Sequence, residues 1–449
     1  MSGNTFVART NPMLGFHQHA SSPYRSWRLL GICALLALLP AVPSLPQQKD
    51  PDVSLGLPAL PGGGVNQNAI RLGKRLFVDT RLSADGNVSC GKCHMAQYAL
   101  TDARARSSGH NGQLGTRNAP SLLNVVYLDS LFWDGRAADL ESQALLPLTN
   151  PVEHALPSNT AVADLVRRVP TYTRDFSRAF GVRPEQISST TVARALAAYE
   201  RTLIAGSSPF DRFVYGGDRA ALSAGAVRGL ELFRGRAQCT SCHLIGPSSA
   251  LLTDGQFHMA PAGLPRTVTD NLAALANKVI RAAGATNRAE LEGLIATDRD
   301  VAALGRFIVT RKPADIGKFK TPSLRNVALT APYMHDGSVR TLAEAVDLEL
   351  YSRGAGLRYP IALTVSERQD LGEFLQALTS PYALREAVNP AAGTPPPKMI
   401  RRARISQRMH FDVWPTWDGF TLPTVNHGPA YASIASVALS RELNANPIR

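Results

Sequence analysis

Two five-residue stretches, Cys90-Gly-Lys-Cys93-His94 and Cys239-Thr-Ser-Cys242-His243, constrain this chain more than any other feature. Each reads Cys-x-x-Cys-His, the pattern by which a c-type haem is attached to a polypeptide. The spacing has a mechanical basis. On a helical turn, thiols three residues apart point to the same side and can form two thioethers to the porphyrin vinyls, and the next histidine offers a ring nitrogen to the iron as proximal ligand. Zinc ribbons place their cysteine pairs roughly 15–20 residues apart, whereas 149 residues separate Cys90 from Cys239. Neither zinc nor a thioredoxin-type disulfide requires a histidine after both pairs. The spacing predicts two covalently bound c-type haems.

The segments before the two pairs are also alike. Gly73-Lys-Arg-Leu-Phe77 and Gly229-Leu-Glu-Leu-Phe233 share Gly-x-x-Leu-Phe, an internal similarity that implies two related domains. A chain of 449 residues is long enough to bury at least two cores. Leu72, Leu76 and Phe77 fall on one helical face. Further helical patterns occupy 190–204 (Val192, Leu196, Tyr199, Leu203) and 365–378, the second opened by a Thr364-x-x-Glu367 capping box. Runs that alternate apolar and polar residues are scarce, so the expected architecture is mainly α with long loops. The first domain is expected over 66–215 and the second over 220–383.

Both ends differ from this middle. Residues 27–45 contain an apolar core preceded by Arg9, Arg25 and Arg28 and ended by prolines, the grammar of an export signal. Residues 1–45 are read as that signal and the location as periplasmic, with an uncleaved anchor as the alternative. Cys33 lies inside that apolar core. Residues 46–65 read as a linker and 384–449 as an irregular Pro/Arg-rich extension. The net charge of +13 resides mostly in these ends, leaving +5 for the central 334 residues. That dispersed charge excludes a clustered nucleic-acid surface.

Between the haem motifs the chain reads Gly109-His-Asn-Gly-Gln-Leu-Gly-Thr-Arg-Asn-Ala-Pro120, Phe132-Trp-Asp-Gly-Arg-Ala137, Leu140-Glu-Ser-Gln-Ala144 and Asn150-Pro-Val-Glu153. After the second motif comes Phe319-Lys-Thr-Pro-Ser-Leu-Arg-Asn-Val-Ala-Leu-Thr-Ala-Pro-Tyr-Met-His-Asp-Gly337. Together with both Cys-x-x-Cys-His motifs, this order closely resembles the bacterial dihaem cytochrome c peroxidase and MauG family over about 66–383. The resemblance implies two cytochrome c-like domains, the first with a peroxidatic haem and the second with an electron-transfer haem. The implied partners are hydrogen peroxide, a small electron-donor protein of cytochrome c or cupredoxin type, and a second copy of the chain in a homodimer.

Residue by residue, the resemblance makes Glu153 the distal acid of the peroxidatic haem, Gln143 its hydrogen-bonding companion and Trp133 the aromatic residue between the haems. Asn118, with the carbonyls of Thr330 and Pro332, matches an inter-domain calcium site. His110 matches a histidine that ligates the first iron in the resting form of many family members. Peroxidases of the family place a methionine, and MauG-like members a tyrosine, fourteen residues after the histidine of His-Asp-Gly; here that position is Glu349. The segment carries two extra residues, which makes Tyr351 the first candidate for the distal ligand of the second haem, with Met334 and Glu349 as alternatives. An anionic oxygen ligand lowers the iron potential and methionine raises it. The function so implied is peroxide reduction. A MauG-like oxidation of a protein or organic substrate and a non-catalytic two-haem electron carrier stand as alternatives.

Overall fold

The computed structural model describes residues 53–61, 66–261, 263–284, 288–357 and 360–383. The expected signal (1–45), the expected extension (384–449) and much of the expected linker lie outside the described residues. The described chain is mainly helical. Its strands are β1 (Phe257–Met259) and β2 (Lys318–Lys320), an antiparallel pair with Phe257 opposite Lys320. Among the described residues no helix is long and apolar enough to cross a membrane.

In the first half, α1 (Gln67–Phe77) begins where the Asn66 side chain accepts the N–H groups of Asn68 and Ala69. Its apolar residues recur every three or four positions, so Ala69, Leu72, Leu76 and Phe77 bury together. Next come α2 (Leu140–Thr149), capped by Asp139, and α3 (Ser189–Glu200), capped by a reciprocal Ser188/Thr191 pair. The sequence pattern for α3 ran on to 204, but the helix stops at Glu200. The buried Asn124 takes over the backbone beyond it: its N–H donates to the Leu203 carbonyl, its side-chain amide to the Ala205 carbonyl, and its side-chain oxygen accepts the Ala205 N–H.

The second half repeats the scheme with α4 (Ala224–Arg234), α6 (Leu342–Leu357) and α7 (Val365–Gln376), while α5 (Arg288–Thr297) lies in a segment inserted between α4 and α6. The Thr364/Glu367 capping box opens α7 as its sequence signals. The shared Gly-x-x-Leu-Phe now has a cause. A Cβ on Gly73 would lie 1.9 Å from the Ala195 carbonyl oxygen of α3, and one on Gly229 would lie 2.0 Å from the Asp370 carbonyl oxygen of α7. Only glycine lets each helix pair cross so closely. One turn on, Phe77 meets Tyr199 with ring centroids 5.2 Å apart, and Phe233 meets Phe374 at 5.0 Å. Gly229→Ala is therefore expected to destabilise the holoprotein by about 1–3 kcal/mol, read as a lower denaturation midpoint. An unchanged midpoint would mean that α4 and α7 can part without loss.

The repeat extends further, at an offset of 202 positions from Pro120-Ser-Leu to Pro322-Ser-Leu. Asn124 and Asn326 both adopt left-handed backbone (φ 64° and 62°), each followed by a 3₁₀ turn, and so do Phe132 and Met334 (φ 66° and 70°). Trp133 is thereby the positional counterpart of His335.

Three cores hold the molecule. The first joins α1, α2 and α3; the second joins α4 and α7 and takes in Leu350 of α6. Phe210 packs into the second core and Ala383 into the first, so each chain segment crosses over at its end. A third core, around Val268, Val279, Leu304 and Phe307, belongs to an inserted helical segment that has no counterpart in the first half. Residues expected to be a linker also contribute. The backbone carbonyls of Val53 and Leu55 accept the N–H groups of Gly206 and Ser207, and Leu57 is buried. The apolar Leu55 and Leu57 make this stretch a docked strap rather than a spacer.

Candidate functional site

Cys90–Cys93 form one helical turn, and His94 closes it with its N–H on the Cys90 carbonyl. The His94 Nδ1 lies 2.9 Å from the Leu100 carbonyl. A carbonyl can only accept, so Nδ1 carries the proton and Nε2 is the nitrogen left for a metal. The second motif repeats this arrangement. Cys239–Ser241 make a 3₁₀ turn, the His243 N–H donates to the Cys239 carbonyl, and its Nδ1 donates to the Leu252 carbonyl at 2.9 Å. Burial pulls His243 down to about 4 and keeps its ring neutral. All four cysteines are half-buried and free of disulfides, and burial pushes Cys93 and Cys239 up to about 12. Paired thiols on one turn beside a neutral imidazole of fixed tautomer are the donor set that a covalent haem takes.

Around the first motif the loop after α2 carries Glu153. Asn150 orients it: the Asn150 amide donates to Glu153 Oε1 at 2.8 Å, while the Asn150 oxygen accepts the Val152 and Glu153 N–H groups. Burial raises the Glu153 carboxyl to about 6, with Arg136 opposing and Glu292 reinforcing the shift. Glu153 lies within electrostatic reach of Cys90 and Cys93. Gln143, half-buried, stands on α2 ten residues earlier. His110 is docked at the same loop, its backbone N–H shared between the Val152 and Glu153 carbonyls. Its Nε2 is 2.9 Å from the Asn111 amide, and Nδ1 is 3.4 Å from Asp85 Oδ2, an ion-pair separation without hydrogen-bond geometry.

The junction between the halves is built from Trp133, Asn118 and the turn at 330–337. The Trp133 indole N–H donates to the Asn118 carbonyl at 2.9 Å, and the Asn118 N–H donates to the His335 carbonyl at 2.9 Å. The Trp133 carbonyl in turn accepts the Lys320 N–H. The Asn118 amide nitrogen goes to the Arg104 carbonyl, which leaves its side-chain oxygen as the donor available to a cation. Thr330 directs its hydroxyl to the Val327 carbonyl, and Thr330 and Pro332 lie on the turn that Asn118 meets.

At the second motif, α6 supplies Arg353, which donates to the Gln238 carbonyl at 3.1 Å and to Ser241 Oγ at 2.7 Å. Glu349, one helical turn earlier, lies 4.0 Å from the Arg353 guanidinium. Tyr351 is 51% exposed and lies two residues along α6 from Glu349, whose own side chain is 43% exposed. A shift of two residues along a helix turns the side chain by roughly 200°, so extra residues in a continuous helix cannot slide Tyr351 into the place of Glu349. Met334 sits in the left-handed turn before His335, whose ring stacks on Phe319 with centroids 3.8 Å apart.

Several residues here carry no sequence signal of their own. Arg136 lies in the Phe-Trp-Asp-Gly-Arg stretch, yet only the structure shows it over the Phe132 ring (3.5 Å to the centroid), bonded to Asp134 and to Glu292 of α5 at 3.1 Å. Glu200 is buried at the end of α3 with Oε2 lacking a hydrogen bond, within electrostatic reach of Cys90, and burial raises it to about 8. His258 of β1 holds Asp254 at 2.8 Å, and its ring lies with the Asp254 carboxyl and the Cys242 thiol inside 4.8 Å.

Comparison with known proteins agrees with this picture. The family model described as di-haem cytochrome c peroxidase matches residues 67–219. The chain is 35% identical over 325 residues to cytochrome-c peroxidase IdrP1 of Denitromonas iodatirespirans, covering 69% of this chain and 81% of that one. It is 36% identical over 316 residues to methylamine utilization protein MauG of Methylorubrum extorquens, covering 69% and 77%. Among solved structures, a MauG-like protein associated with microbial copper homeostasis aligns with a TM-score of 0.58 at 31% identity, covering 75% of this chain and 97% of that one. With its duplicated helix pairs and two matching Cys-x-x-Cys-His turns, the chain belongs to the di-haem cytochrome c peroxidase and MauG family.

Proposed function

We propose that this peroxidase-type oxidoreductase reduces hydrogen peroxide beside Cys90, Cys93 and His94, using electrons from a small cytochrome c or cupredoxin-type donor. The observation that carries the reading is Glu153, a half-buried carboxyl oriented by Asn150 near the first Cys-x-x-Cys-His turn. When bound, haem supplies the redox equivalents and the electrophilic iron on which O–O cleavage depends. The Glu153 carboxylate takes the proton from one oxygen of peroxide and returns it to the other, which leaves as water. The Gln143 amide hydrogen-bonds the peroxide and fixes its orientation. Cys239, Cys242 and His243 hold the second haem, Trp133 lies on the route between the halves, and Asn118, Thr330 and Pro332 hold a calcium ion at the junction. The arginine-flanked apolar leader supports a periplasmic location.

One observation favours a second reading. The helix that provides a methionine in standard peroxidases of the family presents Glu349 here, and an anionic donor lowers the potential at which an electron can enter. A MauG-like oxidation of an organic or protein substrate fits that change. The two readings part in one assay of the holoprotein. Peroxide added with reduced cytochrome c or cupredoxin should oxidise the donor catalytically. No donor oxidation, with peroxide still consumed in the presence of a phenolic or protein substrate, would select the MauG-like reading.

A further inference from the structure

The chain departs from its family at the side chain that meets the second haem, and the structure bears directly on that position. Helix α6 runs unbroken from Leu342 to Leu357, so residues four apart share a face. Arg353 identifies the inward one. Its guanidinium reaches the Gln238 carbonyl and Ser241 Oγ, both on the turn that carries Cys239 and Cys242. Glu349 is on the same face, within electrostatic reach of Cys239 and of His258. Leu342, Val346 and Leu350 pack into the second core and fix the rotation of the helix about its axis. Tyr351, two residues from Glu349, falls roughly 200° around the helix from it.

We propose that Glu349 is the side chain with which α6 would ligate the second haem, with the Arg353 guanidinium, 4.0 Å away, as its counter-charge at the cysteine turn. The inference rests on the reading that Cys239, Cys242 and His243 bind that haem. A carboxylate takes the place of the family's phenolate or thioether, and as an anionic oxygen donor it favours ferric iron. His258 is the rival. It stands at the same turn, but its Nε2 is already committed to Asp254 at 2.8 Å.

The test uses the full holoprotein, with haem content of every variant measured by mass and by haem stain. Optical and EPR spectra report each iron's ligands, and a redox titration reports its potential. Glu349→Gln should change the ferric spectrum of one haem only, and should raise the reduced-to-oxidised ratio of that haem roughly tenfold or more at fixed ambient potential. Glu349→Asp, which keeps the carboxylate, should restore most of the wild-type signature. Tyr351→Phe should leave both spectra unchanged. A Glu349→Gln protein with two haems and wild-type spectra would overturn the inference, as would loss of the second haem's signature in Tyr351→Phe or in His258→Asn alone. A wild-type mass one haem short at Cys239/Cys242 would instead overturn the reading of the site, and this inference with it.

Discussion

Glu153→Gln is expected to lower peroxide turnover by roughly 10²–10⁴-fold, the range over which a positioned general acid–base group acts, with haem content unchanged. The amide keeps the volume and can still accept the Asn150 hydrogen bond, but it cannot take a proton. The pH profile sharpens the test. Burial raises the Glu153 carboxyl to about 6, helped by Glu292 and opposed by Arg136. The base form is lost as pH falls through that value, so wild-type kcat/KM should drop on the acid side of about 6 and the variant should lack that inflection. A variant that keeps both the rate and the inflection would remove Glu153 from the mechanism.

The largest stability effect is expected at Arg325. Its guanidinium makes a two-point bond to Asp211 (2.8 and 2.9 Å) and also donates to the Ala250 and Gly56 carbonyls, with 2% and 0% of the two side chains exposed. All three guanidinium nitrogens donate. Arg325→Met leaves the Asp211 carboxylate buried with only Ser208 and its own loop for partners. Breaking one side of such a pair costs about 3–5 kcal/mol, which should appear as a large drop in the denaturation midpoint of the holoprotein. Lysine should not rescue it, since a single ammonium cannot reproduce the fork. A midpoint close to wild type would show that water reaches Asp211.

What could be read from the sequence was what covalent chemistry or helix periodicity forces into short spacings. The cysteine turns, their histidines and the helix phases around Leu72, Leu76 and Phe77 are local patterns. Gly-x-x-Leu-Phe was visible as a repeat, but its meaning was not, because the Gly73 and Gly229 crossings involve partners more than a hundred residues away. The Arg136–Glu292 bond is equally non-local. The third core gave no warning, as its helices resemble any others in pattern. Tyr351 illustrates a different limit: aligning residue types cannot foresee that a continuous helix keeps its phase and turns the tyrosine roughly 200° from Glu349. The strap at Val53–Leu57 was masked by the prolines and glycines that follow it.

The contacts at Trp133 carry one more consequence. The Asn118 N–H to the His335 carbonyl and the Lys320 N–H to the Trp133 carbonyl are two hydrogen bonds that bridge the halves, and the Trp133 indole ties itself to the Asn118 peptide beside them. On the proposed function, in which electrons pass between two haems, tunnelling depends steeply on their separation, and these backbone bonds tie the Trp133 turn directly to the second half.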